Sequence, residues 1–107
     1  MSIVYPRIEL LKKYKEHLPK IVKKCEEVLG SCEIYVFGSI LDEFTGGSDV
    51  DLLIVSDKVP KSLKERAKIL AKIEEELPLY HPFEFHLVDK KGFEFYRKQS
   101  KKMKRIR

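Results

Sequence analysis

The sequence predicts one small α/β (α+β) domain in which a mixed β-sheet is flanked by helices. Short β-branched and aromatic runs alternate with longer segments that have a helical spacing of apolar residues, and the chain has only 107 residues. Domains usually contain about 100 to 150 residues, so there is room for one hydrophobic core. The predicted order of elements is helix, strand, strand, helix, strand, with a short further helix over residues 90–96.

The first element is an amphipathic helix within residues 6–29. Lys and Glu separate its apolar positions, which are Ile8, Leu11, Leu18, Ile21, Val22, Cys25 and Val28. Pro6 suits the first turn and Gly30 suits the end of the helix. Pro19 lies inside the pattern and lacks a backbone N–H, so we expect it to kink the helix or to split it in two.

Three strands are predicted from short β-branched and aromatic runs. Residues 32–37 (CEIYVF) end at a Gly-Ser turn, and residues 50–55 (VDLLIV) have the apolar content of a strand inside a sheet. Residues 83–88 (FEFHLV) alternate in character. Because successive side chains of a strand point to opposite faces, Glu84, His86 and Val88 are expected on the face opposite Phe83, Phe85 and Leu87.

The second helix is predicted between the second and third strands. Ser62 and Glu65 form a capping box, and Pro78 ends the pattern after about four turns. The apolar stripe of this helix comprises Leu63, Ala67, Leu70, Ile73 and Leu77.

The positive charge of the chain is concentrated at its C-terminus. The net charge is +5, yet residues 97–107 contain seven basic side chains and no acid, which leaves residues 1–96 slightly acidic. We therefore divide the chain into a domain of residues 1–96 and a basic tail of residues 97–107. The tail is either a solvated, frayed terminus or a patch that attracts RNA, DNA or an acidic protein surface. It has no interleaved aromatics, so the sequence gives nucleic acid binding little support.

Composition also predicts the cellular location of the protein and the state of its cysteines. No apolar run approaches the roughly 18 residues of a membrane span, and the N-terminus lacks a signal-peptide pattern. We expect a cytoplasmic protein with no membrane partner. Cys25 and Cys32 belong to no CxxC pair and have no neighbouring His cluster, so reduced thiols are expected and a zinc site is not.

Asp49 and Asp51 are the first residues that indicate a functional site. Residues two apart in a strand share a face, so these carboxylates project together and repel each other unless a cation or water lies between them. Hard cations such as Mg²⁺ prefer such oxygen ligands. The alternative is that Asp49 is a turn residue after Gly46, Gly47 and Ser48, and that Asp51 lies at a solvated strand end.

Two further features complete a candidate site. Gly38-Ser39 follows the first strand, where a turn can direct N–H groups and a hydroxyl at a phosphate. Glu84 becomes a third carboxylate if its strand lies beside that of Asp51, and such a set can hold two metal ions for displacement at phosphorus. The alternative is that Glu84 and His86 line the wet face of an edge strand. His86 shares the Glu84 face and could touch the site, but we favour an ordinary sheet histidine with satisfied hydrogen bonds.

Together these residues resemble the signature of the minimal nucleotidyltransferases of the DNA polymerase β-like superfamily. That signature is a Gly-Ser turn, a loop of about ten residues and an Asp-x-Asp strand; here Gly38-Ser39, nine residues and Asp49-Val50-Asp51 stand in that order. A later strand supplies the third carboxylate, which matches Glu84. Many relatives have a glycine four residues after the serine, where this chain has Glu43.

The resemblance implies a site and a reaction. An NTP, expected to be ATP, would bind with Mg²⁺ or Mn²⁺, and its nucleotidyl group would pass to a hydroxyl while pyrophosphate leaves. Gly38 and Ser39 would hold the terminal phosphates. Asp49, Asp51 and Glu84 would be the metal ligands and catalytic residues, and Glu84 would also help to deprotonate the acceptor.

The resemblance also implies a partner. Family members of this size often pair with a helical HEPN-family protein as the antitoxin of a toxin-antitoxin system, and some add AMP to that partner. A protein acceptor is therefore expected here. The alternative is a non-catalytic antitoxin module that binds nucleotide or its partner without transfer.

Overall fold

The structure, a computed structural model, describes residues 14–37, 50–79, 81–99 and 102–107. Within these ranges it contains three helices and a four-stranded mixed sheet, which confirms the predicted α+β class. In chain order the elements are α1 (Tyr14–Leu29), β1 (Glu33–Phe37), β2 (Val50–Val55), α2 (Leu63–Glu74), β3 (Phe83–Val88), α3 (Lys90–Gln99) and β4 (Met103–Arg105).

The described strands form one sheet in the order β3-β2-β1-β4. β1 is antiparallel to both β2 and β4, whereas β2 and β3 are parallel. Parallel neighbours need a crossover connection, and α2 supplies it. The register of the parallel pair places Asp51 opposite Glu84 and Leu53 opposite His86.

One face of the sheet packs against α1 and α2 and forms the hydrophobic core. The alternating residues of the strands point into this layer, as the apolar pattern predicts. The helices contribute Ile21, Cys25, Leu29 and Ile73, and the strands contribute Ile34, Val36, Val50, Leu52, Ile54, Phe83 and Leu87. Cys25 and Cys32 are buried free thiols in this part of the protein.

The opposite face of the sheet carries α3. Tyr35 on β1 stacks on Phe93 of α3 with ring centroids 4.9 Å apart, and Phe37 meets Tyr96 edge-on at 5.7 Å. Leu53, on this face of β2, is fully buried. The aromatic side of α3 therefore covers the same sheet face that carries Asp51, Glu84 and His86.

The start of α3 is fixed by two local features. Asp89 accepts a hydrogen bond from the Gly92 N–H at its Oδ1 (2.9 Å) and one from the Phe93 N–H at its backbone oxygen (2.9 Å), which caps the first turn. Gly92 also packs closely on β3, since a Cβ there would lie 2.7 Å from the Val88 Cβ. The glycine thus allows the chain to fold back directly onto the strand it has just left.

Some predicted boundaries need correction. α1 continues through Pro19, so the helix is not split there, and the predicted turns over residues 6–13 lie outside the described residues. α2 ends at Glu74, after about three turns rather than four. Leu63 is 81% exposed, Ala67 is also exposed, and neither is part of the buried stripe. The Ser62 hydroxyl does accept the Glu65 N–H at 3.4 Å, as half of the predicted capping box.

The basic C-terminal residues are joined to the rest of the fold. α3 runs across residue 96, where the domain boundary was predicted, and β4 pairs with β1. Ile106 packs against the core, and Arg107 forms an ion pair with Glu26 at 3.1 Å. A frayed tail therefore does not describe residues 102–107. Among the described helices, none has the length and apolar character needed to cross a membrane.

Candidate active site

Two of the three predicted carboxylates meet on the sheet face beneath α3. Asp51 on β2 lies in register with Glu84 on β3, and both side chains project to the same side. With His86, two residues beyond Glu84, they bring two carboxylate oxygens and one imidazole nitrogen within 4.8 Å of one another. The parallel pairing of β2 and β3 is what creates this group.

His86 is central to the group, and among the described residues its ring nitrogens face three polar side chains. Its Nε2 lies 3.3 Å from Asp51 Oδ1 and 3.8 Å from Glu84 Oε1. Its Nδ1 lies 3.3 Å from the hydroxyl oxygen of Tyr96. The Asp51 and His86 side chains are only 27% and 22% exposed, whereas Glu84 is 56% exposed. Glu84 is therefore the more exposed of the two described carboxylates in this group.

An aromatic wall borders the group on the side of β1 and α3. Phe37 lies edge-on to the rings of His86 (5.3 Å between centroids) and Tyr96 (5.7 Å). The His86 and Tyr96 rings are themselves 5.5 Å apart. Phe37 also lies opposite Asp51 in the β1–β2 register. Aromatic rings therefore shield one side of the imidazole, while the Glu84 side chain remains more than half exposed.

The other predicted site residues, Gly38, Ser39 and Asp49, lie outside the described residues. The strand ends on either side of that segment are described. Phe37 ends β1 opposite Asp51, and Val50 begins β2 one residue before Asp51, with its N–H donating to the Pro82 oxygen at 2.8 Å. The chain thus leaves β1 and enters β2 beside the Asp51 carboxylate.

Sequence reasoning gave no role to two side chains of this group. The alternation of β3 placed His86 on the face of Glu84, but it was interpreted as an ordinary sheet histidine. Its hydrogen bonds are indeed satisfied, yet one of their partners is the candidate ligand Asp51. Tyr96 carried no signal, because its approach to His86 requires α3 to fold back over the sheet.

The donor set indicates the chemistry that the group can support. Carboxylate oxygens are the preferred ligands of Mg²⁺ and Mn²⁺, and two carboxylates at this spacing repel each other unless a cation or a hydrogen-bond donor lies close. An accessible carboxylate can also accept a proton from a hydroxyl. The arrangement is therefore suited to cation binding beside a phosphate-bearing substrate.

Comparison with known proteins identifies the family. The nucleotidyltransferase domain model matches residues 18–107, so this chain belongs to the nucleotidyltransferase domain family. The matched stretch contains Asp51, Glu84, His86 and Tyr96. Membership supports nucleotidyl transfer as the class of reaction.

Two solved structures resemble this chain. The crystal structure of a candidate nucleotidyltransferase has 29% sequence identity and a TM-score of 0.70, and the match covers 85% of this chain and 98% of that one. A candidate nucleotidyltransferase from Sulfolobus solfataricus, solved at 1.40 Å resolution, has a TM-score of 0.66 over 98% of this chain and 89% of its own. At 17% identity, this second likeness shows the fold alone. No curated protein sequence matches the chain.

Proposed function

We propose that this chain is a divalent-metal-dependent nucleotidyltransferase that transfers AMP from ATP to a hydroxyl of a partner protein. The observation that carries the proposal is the pairing of Asp51 with Glu84 on adjacent parallel strands, in a chain that belongs to the nucleotidyltransferase domain family. Two carboxylates at close range repel each other, and a cation bound between them relieves that repulsion.

The residues present fit a divalent cation. Asp51 and Glu84 would hold it, and Asp49 of the predicted signature would be a further ligand. When bound, the cation neutralises charge on the triphosphate and so favours departure of pyrophosphate. Mg²⁺ or Mn²⁺ suits the two carboxylates, and Mn²⁺ also tolerates the nearby imidazole.

The transfer itself is a displacement at the α-phosphorus. The acceptor oxygen forms a bond to that phosphorus, the bond to the oxygen bridging the α- and β-phosphates breaks, and pyrophosphate leaves with that oxygen and the bonding electron pair. Glu84 takes the hydroxyl proton, because it is the most exposed of the described carboxylates in the group. The Asp51 side chain is more buried, and it contributes to positioning and to electrostatic stabilisation.

A protein acceptor is supported by the accessibility of the group. In the described sheet β3 is an edge strand, and Glu84 projects from it with more than half of its side chain exposed. A large acceptor can therefore approach without an enclosing pocket. Following the resemblance to minimal nucleotidyltransferases, we propose that the acceptor is a helical HEPN-family protein and that this chain is its antitoxin.

The test is transfer of label from ATP to a purified HEPN-family partner in Mg²⁺ or Mn²⁺. Label at the α-phosphate is expected to appear on the partner and label at the γ-phosphate is not. Asp51→Asn should abolish transfer, whereas Asp57→Asn, an exposed Asp in the turn after β2, should not. If neither label transfers with any NTP and Asp51→Asn still neutralises the partner, the chain is instead a non-catalytic binding module.

A further inference from the structure

We propose that Tyr96 and His86 form a hydrogen-bonded chain that positions Asp51 for cation binding. The inference rests on the proposed function, since it concerns how the same site is prepared. It assigns roles to two residues that belong to neither the Asp-x-Asp strand nor the Gly-Ser turn. Both act through Asp51 and are positioning residues.

The direction of the chain follows from the chemistry of its members. A neutral imidazole has one N–H donor and one bare nitrogen acceptor, while an ionised carboxylate only accepts. His86 Nε2 lies 3.3 Å from Asp51 Oδ1, so Nε2 carries the hydrogen and donates it to the carboxylate. Nδ1 is then the acceptor, and the Tyr96 hydroxyl at 3.3 Å donates to it. Tyr96 thereby selects the tautomer that His86 needs.

The surroundings hold this arrangement in place. Phe37 lies edge-on to the imidazole at 5.3 Å and to the Tyr96 ring at 5.7 Å, so both rings are fixed by apolar contact as well as by hydrogen bonds. The imidazole is 22% exposed, which limits competition from water. Among the described residues, Glu84 is the other acidic group that faces the ring, and its Oε1, at 3.8 Å from Nε2, lies farther away than Asp51.

The consequence for Asp51 is a fixed carboxylate orientation. Oδ1 accepts from His86, and we place the cation on the second oxygen. Without the Tyr96 hydroxyl, Nδ1 loses its donor and the ring can adopt the other tautomer, which would turn a bare nitrogen towards a carboxylate. Partners that orient a metal ligand in this way typically change metal affinity by about 10- to 100-fold.

The first experiment compares Tyr96→Phe with wild type and with Tyr35→Phe. Tyr35 lies on the same sheet face, but its hydroxyl donates to Glu33 at 2.5 Å, away from Asp51. Long-range ¹H–¹⁵N spectra, recorded without metal at about pH 8.5, where an ordinary imidazole is neutral, should show the Nε2–H tautomer of His86 in wild type and Tyr35→Phe. Tyr96→Phe should show a mixture of tautomers.

The second measurement is Mn²⁺ affinity by electron paramagnetic resonance titration. Tyr96→Phe should weaken binding about 10-fold, and Tyr35→Phe should leave it unchanged. His86→Gln, which keeps an N–H donor, should bind Mn²⁺ more tightly than His86→Leu, which has none. This second pair keeps the inference testable if Tyr96→Phe does not fold.

Several outcomes would overturn the inference. They are an Nδ1–H tautomer in wild type, unchanged Mn²⁺ affinity in folded Tyr96→Phe, equal affinities of the two His86 variants, and imidazole-nitrogen coupling in the Mn²⁺ spectrum. The last would mean that His86 binds the cation instead of donating to Asp51. Wild type that binds neither Mn²⁺ nor ATP would contradict the proposed function, and the tautomer spectra would separately decide whether the chain of hydrogen bonds exists.

Discussion

Asp51 and Glu84 lie directly opposite each other on the parallel strands β2 and β3. The pairing brings two carboxylates together on the sheet face beneath α3, with the His86 imidazole beside them. The repulsion between the two carboxylates should be measurable through protein stability, without an assay of nucleotidyl transfer.

Asp51→Asn is expected to remove cation binding and to leave the fold intact. Without metal, loss of the negative charge relieves its repulsion with Glu84, so the melting temperature should stay the same or rise. Mn²⁺ should raise the melting temperature of wild type, because a ligand that binds the folded state stabilises it, and should have no such effect on the variant. Thermal unfolding with and without Mn²⁺ checks this. An equal Mn²⁺ shift in Asp51→Asn would show that the cation binds elsewhere.

Gly92→Ala is expected to destabilise the protein by about 1–3 kcal/mol, the usual cost of inserting a methyl group into a tight contact. The added Cβ would lie 2.7 Å from the Val88 Cβ and would push α3 away from β3. Urea denaturation should show the loss. Glu94→Ala, at an exposed position on α3, is the control. A Gly92→Ala protein as stable as this control would mean that α3 does not pack tightly on β3.

Cys25 is expected to be unreactive in the native protein. Burial, with smaller contributions from Cys32 and Glu26, raises the pKa of its thiol from 9.0 to about 12, so little of the reactive thiolate is present at pH 8. A disulfide reagent should modify this residue only after unfolding. Fast modification of native Cys25 would contradict its burial.

The raised pKa of Cys25 also gives stability a pH dependence. The unfolded thiol loses its proton near its ordinary pKa, while the folded thiol keeps it until about pH 12. This contribution to stability is therefore fully present below about pH 9 and is lost as the pH rises towards 12. The free energy of unfolding of wild type should fall more steeply over this range than that of Cys25→Ala.

Removal of residues 103–107 is expected to lower stability substantially. The truncation deletes β4, the packing of Ile106 on the core and the hydrogen bond from the Ile34 N–H to the Arg107 oxygen (3.0 Å). Lys104→Gln, which removes one positive charge from an exposed position, should have little effect. The two variants separate a structural strand from a charged tail. A truncated chain as stable as wild type would contradict the role of β4.

The sequence predicted best the elements whose secondary structure is determined by their own residues. The apolar content of β2 and the alternation of β3 gave both strands their observed bounds. β4 was missed because Met103, Lys104 and Arg105 have no apolar alternation. They form a strand only because the edge of β1 offers free backbone groups, and a charged edge strand is common where a sheet meets solvent.

The candidate site likewise has one part that the sequence predicted and one part that it did not. The meeting of Glu84 with Asp51 was predicted only on the condition that their strands are neighbours, and the parallel pairing of β2 and β3 meets that condition. The contribution of Tyr96 could not be predicted, because it depends on the direct turn from β3 into α3. That turn requires Gly92 at a close contact and Asp89 as a cap, and neither feature indicates where a tyrosine seven residues after Asp89 will lie.

The most direct test of a cation site between Asp51 and Glu84 is a crystal structure with Mn²⁺ and a non-hydrolysable ATP analogue. Anomalous scattering locates Mn²⁺ independently of the protein density. The expected result is a peak at about 2.0–2.2 Å from oxygens of Asp51 and Glu84, the range typical of small divalent cations, with the analogue's phosphates on the other side of the ion. A bound analogue without a peak at these carboxylates, or a peak only at other side chains, would contradict the proposed site.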